Sequence, residues 1–180
     1  MDDKRFVEKR KEYRLPFEQK TVMTDGVRSV TAYSANISRG GVFLLSLEPL
    51  PLQTNVMIAF MLPSQPLSLC LKGKVAHIVF DRQRAEVECG MGVQFQDISE
   101  SHRSLLNLHI LNEKMAYQEL KKLLEPAKPN LLELERLLKK IPTVKNRELT
   151  ALRYRVNRIC TIFEATPNLL DTPMEEKLSA

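Results

Sequence analysis

The sequence predicts a mainly β protein with a helical extension: a small antiparallel β-barrel or sandwich, then about three α-helices. Three observations lead there. Between residues 19 and 97, short strand-like runs follow one another with tight turns between them and no helical repeat, the pattern of consecutive antiparallel strands. Near Ser99 to Ser101 the repeat changes, and apolar residues recur every three or four positions, as in amphipathic helices. At 180 residues and 43% hydrophobic content, the chain is long enough for one good core with a smaller appendage and too short for a large multidomain enzyme. The divisions expected are an arm over 1–18, a barrel over 19–104, a helical extension over 105–165 and a loose tail over 166–180.

The arm alternates charges without an apolar period, and Pro16 pushes Leu15 towards extended backbone; a flexible basic leader is expected. Strands begin with Thr21-Val22-Met23 and Val27 to Tyr33, separated by Asp25-Gly26, a strong hairpin signal because both central turn positions favour positive φ. A loop over Asn36 to Gly41 precedes Val42-Phe43-Leu44-Leu45, and Pro49 and Pro51 mark the next turn. The runs from Val56 to Leu62 and from Leu67 to Phe80 follow, with Gly73 a candidate bulge, and the last strand spans Ala85 to Gln96. In the extension, Leu105, Leu108, Leu111, Met115, Leu120, Leu123 and Leu124 line the first helix, which Pro126 and Pro129 end. Asn130 caps a second, lined by Leu131, Leu134, Leu137, Leu138 and Ile141. A third runs from about Lys145 to Glu164, with Arg147, Arg153, Arg155 and Arg158 on a solvated face.

The formal charge of +5 suits an anionic partner without choosing one. Aromatic residues make up only 6% of the chain, there is no Trp, and acidic residues are interspersed, which disfavours nucleic acid. No run of eighteen apolar residues exists and the N-terminus is charged, so a cytoplasmic protein with no membrane partner is expected. Cys70, Cys89 and Cys160 are odd in number and flanked by apolar sequence, as buried reduced thiols would be. His77, His102 and His109 are scattered, so no metal is expected. There is no Gly-x-Ser-x-Gly, His-Glu-x-x-His or Walker-type loop, and no catalytic residue is assigned.

Two short stretches carry chemistry. Asn36 and Ser38 alternate, so extended backbone points both to one side, while Gly40 and Gly41 let the chain turn and another molecule approach. Upstream, Arg10 and Arg14 offer planar cationic donors suited to phosphate and to a guanine edge.

Arg-x-x-x-Arg at Arg10 and Arg14, followed some twenty residues later by Asn-x-Ser-x-x-Gly at Asn36, Ser38 and Gly41, resembles the PilZ domain, a bacterial receptor module for cyclic di-GMP. Gly92-Val93-Gln94-Phe95 with Asp97-Ile98-Ser99 is similar to that family's last barrel strand and its lead into a helix. The resemblance covers residues 5 to about 104 and implies a small antiparallel six- to seven-stranded β-barrel in a non-enzymatic receptor without cofactor, acting in regulation such as that of motility or biofilm formation. It implies that Arg10 and Arg14 grip phosphates and guanine faces, that Asn36 accepts from guanine N1 or N2, that Ser38 bonds the same edge, and that Gly41 admits the base. Lys9, Arg39 and Gly40 are neighbours added to that set. Asn36 stands where many relatives carry Asp, and one amide oxygen is a weaker acceptor than a carboxylate. Ligand capture would order the arm and change the surface shown to a protein partner, with the helical extension as output surface or as a homodimer seam. Three other readings stay open: an adaptor of the same fold that binds no nucleotide, a basic nucleic-acid binder, and an enzyme, which would need convergent acid-base groups that the sequence does not reveal.

Overall fold

The structure, a computed structural model, describes residues 13–63, 68–80, 89–141, 143–144 and 148–165. Seven strands come first: β1 (Leu15–Pro16), β2 (Lys20–Thr24), β3 (Ser29–Ser38), β4 (Gly41–Leu45), β5 (Asn55–Met61), β6 (Ser68–Val79) and β7 (Gly90–Gln96). Three helices follow, α1 (Glu100–Leu124), α2 (Leu131–Leu138) and α3 (Leu149–Ala165). The expected mainly β fold with a helical extension is therefore the one observed.

Six strands close into a ring in the order β3-β2-β5-β6-β7-β4, with β4 returning to pair with β3. Closure satisfies the edge amides that an open sheet would expose. Alternation along the strands sends Ile37, Val42, Leu44, Ile58, Val75 and Val93 inward, all at most 4% exposed. The same alternation leaves Cys70 outward between Leu69 and Leu71, so of the three free thiols only Cys160 is buried. The first turn is longer than Asp-Gly alone suggests. Thr24 pairs with Ser29, and the Asp25 carboxylate accepts the Val27 and Arg28 amides at 2.9 and 2.7 Å. Those bonds lower the Asp25 pKa, and only Gly26, at φ 92°, takes the left-handed region in that turn.

The end of the presumed flexible arm is built into the barrel. Tyr13, Leu15 and Phe17 are buried, and Leu15 and Pro16 pair with Ile37 and Asn36 of β3. Three apolar side chains on alternate residues suffice to hold it, a period masked in the sequence by its charged neighbours. Residues 13–17 therefore belong to the packed fold and not to a free arm. The tail over 166–180 and residues 85–88 of the expected last strand lie outside the described residues.

Helix α1 begins at Glu100, where the repeat was expected to change, and the Ser99 hydroxyl caps it by accepting the His102 amide. Asn130 caps α2 by accepting the Leu132 and Glu133 amides. Residues of all three helices join the barrel interior in one continuous core, with Phe17 bridging Phe60 of β5 and His109 of α1. Arg153 is not merely solvated: its guanidinium donates to the carbonyls of Leu124, Pro126 and Ala127, closing the C-terminal end of α1 from α3.

Candidate ligand pocket on the barrel

Asn36 and Ser38 occupy the last turn-ward positions of β3, not a loop. Ser38 pairs with Gly41 across the two-residue turn Arg39-Gly40, and Ile37 between them fills the barrel, so Asn36 and Ser38 face outward together. A bulge at Ala35, between Ser34 and Asn36, sets that phase. The turn is pinned to the neighbouring wall: Phe95 donates its amide to the Gly40 carbonyl at 2.9 Å, and the Ser38 hydroxyl donates to the Gly41 carbonyl at 3.4 Å.

The residues expected to cooperate do meet where the structure describes them. One surface pocket is lined by Arg14, Asn36, Ser38, Gly40 and Gly41, together with His77, Gly92 and Gln94. Arg14 reaches it by register. Leu15 pairs with Ile37, and one step further along the antiparallel pair brings Arg14 level with Ser38. Arg10 and Lys9 lie outside the described residues. Arg39 sits in the turn without lining the pocket, and its Nη2 is buried with no hydrogen-bond partner among the described residues.

Gly41 has a reason of its own. A Cβ there would collide with the Val93 carbonyl oxygen of β7, so close strand packing requires glycine before any ligand does. Gly92 plays the matching part across the shelf, since the place of its missing Cβ is taken by the His77 ring. A bulge between Val75 and His77 turns that ring outward onto Gly92, where it stacks on Phe43 with centroids 5.9 Å apart. His77 and Phe43 escaped the sequence reading because the bulge and the β6–β7 register place them, and neither is legible locally. The shelf thus offers one guanidinium, an amide, a hydroxyl and an aromatic edge: donors and acceptors for a planar, polar anion. Among the described residues, no group of three metal-ligating side chains converges.

The family model of the PilZ domain matches residues 8–112, more than half of the chain. The chain belongs to the PilZ domain family. Among solved structures it is similar to MotI/DgrA of Bacillus subtilis, the inhibitor of motility, at 17% identity and a TM-score of 0.50, over 61% of this chain and 52% of that one. It is also similar to MrkH in the K. pneumonia MrkH-c-di-GMP complex, at 14% identity and a TM-score of 0.52, over 63% of this chain and 56% of that one. It spans about half the length of each. These likenesses concern the fold. No curated protein matches the sequence. The PilZ match takes in every strand and ends within α1, so the remainder of α1, α2 and α3 form an extension beyond the family region.

Proposed function

We propose that this PilZ protein is a receptor for cyclic di-GMP, and that the pocket beside the Arg39-Gly40 turn is where the dinucleotide docks. The observation carrying this reading is the lining of a single pocket by Arg14, Asn36 and Ser38, which come from two parts of the chain. In a chain of this family, those side chains supply what a bis-guanine phosphate diester requires. Arg14, with Arg10 as its partner, takes phosphate and a guanine O6/N7 edge. The Asn36 amide oxygen accepts from guanine N1–H or N2–H, and the Ser38 hydroxyl bonds the same edge. Gly40 and Gly41 shape the turn beside the pocket, Lys9 and Arg39 add charge nearby, and His77 offers a ring on which a base stacks.

The signal passes to a protein partner through the helices. Tyr13, the residue before Arg14, turns the opposite way from it: its ring lies 4.9 Å from that of Phe163 on α3, and the Lys114 ammonium of α1 stands 5.8 Å from its centre. Movement of Arg14 towards a phosphate therefore works against a contact with two helices, which links dinucleotide binding to the helical surface. Titration calorimetry with cyclic di-GMP on the wild type, Arg14→Ala and Ser38→Ala tests the reading. Saturable binding in the wild type, weakened at least ten-fold in each variant, is expected. No heat from the wild type, or equal affinity in all three, overturns it in favour of an adaptor that binds no nucleotide.

A further inference from the structure

A second pocket, sharing no lining residue with the first, lies between α1 and the segment that follows α2. Its volume of about 530 Å³ falls within the size of small-molecule sites. At its base Glu113 and His109 sit one turn apart on α1, 9% and 4% exposed. The Oε2 atom of Glu113 is enclosed and accepts no hydrogen bond from any described residue. Ala116 and Leu137 form apolar walls, while Lys139, Lys140 and Glu119 stand exposed at the mouth. Two lysines against one glutamate leave the mouth a formal charge of +1.

An enclosed carboxyl without a donor is held at a cost, and the group that relieves it is a cationic N–H. The lysines at the mouth ask for the opposite charge. We propose that this pocket binds a small zwitterion, its ammonium or guanidinium head donating to Glu113 and its carboxylate tail held by Lys139 and Lys140. The PilZ match stops at residue 112, so Glu113 and both lysines belong to the extension. Burial raises the Glu113 pKa to about 7 and lowers that of His109 to about 4, leaving the carboxyl ready to ionise when a cation arrives. Glu119, Lys139 and Lys140 are the other charged groups lining the pocket, and Tyr117, one turn further along α1, feels the charges of Glu113, of Arg155 on α3 and of Glu18 before β2.

The test uses the full chain without cyclic di-GMP, so it succeeds or fails independently of the receptor reading. Backbone-amide NMR titrations with 5-aminopentanoate and with L-arginine are run up to about 10 mM, with pentylamine and pentanoate as half-ligands. Saturable shifts on α1 around Glu113 are expected with at least one zwitterion, together with at least ten-fold weaker binding in Glu113→Gln. Affinity should also rise about ten-fold from pH 6 to pH 8 in the wild type and not in Glu113→Gln, because ionisation of the carboxyl is linked to binding. Changing both Lys139 and Lys140 to Gln should weaken the zwitterion and spare pentylamine. Thermal unfolding of each variant confirms that it is folded. No saturable binding of either zwitterion, unchanged affinity in Glu113→Gln, or pentanoate binding as well as the zwitterions overturns the proposal.

Discussion

Replacing Glu113 with Gln should change how stability depends on pH, and the two buried groups on α1 determine the form of the change. The carboxyl of Glu113 moves from 4.5 to about 7 on folding, so its contribution is favourable at low pH and is lost as pH rises between those values. His109 moves the other way, from 6.5 to about 4, and costs stability as pH falls through that range. Between pH 4.5 and 6.5 the unfolded chain therefore releases one proton at residue 113 and gains one at residue 109 relative to the folded chain, and the two slopes cancel. Glu113→Gln removes one of them. The difference in unfolding free energy between variant and wild type should climb by roughly 1.4 kcal/mol per pH unit across that window. Taken over the whole displacement it reaches about 3 kcal/mol in favour of the variant at pH 8, an upper figure because the new amide also lacks a partner. Urea denaturation of both proteins at half-unit steps from pH 4 to 8 measures it, and the comparison cancels every other titrating group. A difference that is flat with pH, or a variant less stable than the wild type at pH 8, would refute the reasoning.

Gly41→Ala should cost about 2–3 kcal/mol in urea unfolding without any ligand present, since its methyl group meets the Val93 carbonyl oxygen of β7; a neutral result would mean the glycine serves the pocket alone. His77→Ala should weaken cyclic di-GMP binding about ten-fold by calorimetry through loss of a stacking face, while exposing Phe43 lowers stability by about 1 kcal/mol. Arg153→Ala removes a charged donor from three carbonyls beyond α1 and should cost about 1–2 kcal/mol, with hydrogen exchange quickening first in the last turn of α1.

Much of the architecture was legible because it is written in short-range repeats. The apolar run Val42 to Leu45, the shift to a leucine period after Ser99, and the cap at Asn130 each depend on a few neighbouring residues, and each appears as expected. The errors share a cause as well. Tyr13, Leu15 and Phe17 form an alternating apolar set, but Arg14 between them and the charges flanking them made the segment look like a solvated leader. Asn36 and Ser38 looked like loop residues because the glycines after them signal a turn, whereas the turn occupies only Arg39 and Gly40. For Arg153, a helical periodicity places it on a polar face without saying what that face meets.

By itself the sequence determined the run of strands after residue 19, the helices that follow them and which residues carry donors and acceptors, Arg14, Asn36 and Ser38 among them, because periodicity and side-chain chemistry are local properties. Only the tertiary structure decided that Arg14 stands level with Ser38, that His77 lies over Gly92, that Gly41 is demanded by β7, and that Glu113 is enclosed without a donor. Each of those depends on strand register, a one-residue bulge or the docking of a helix, relations between residues tens of positions apart that no local pattern encodes.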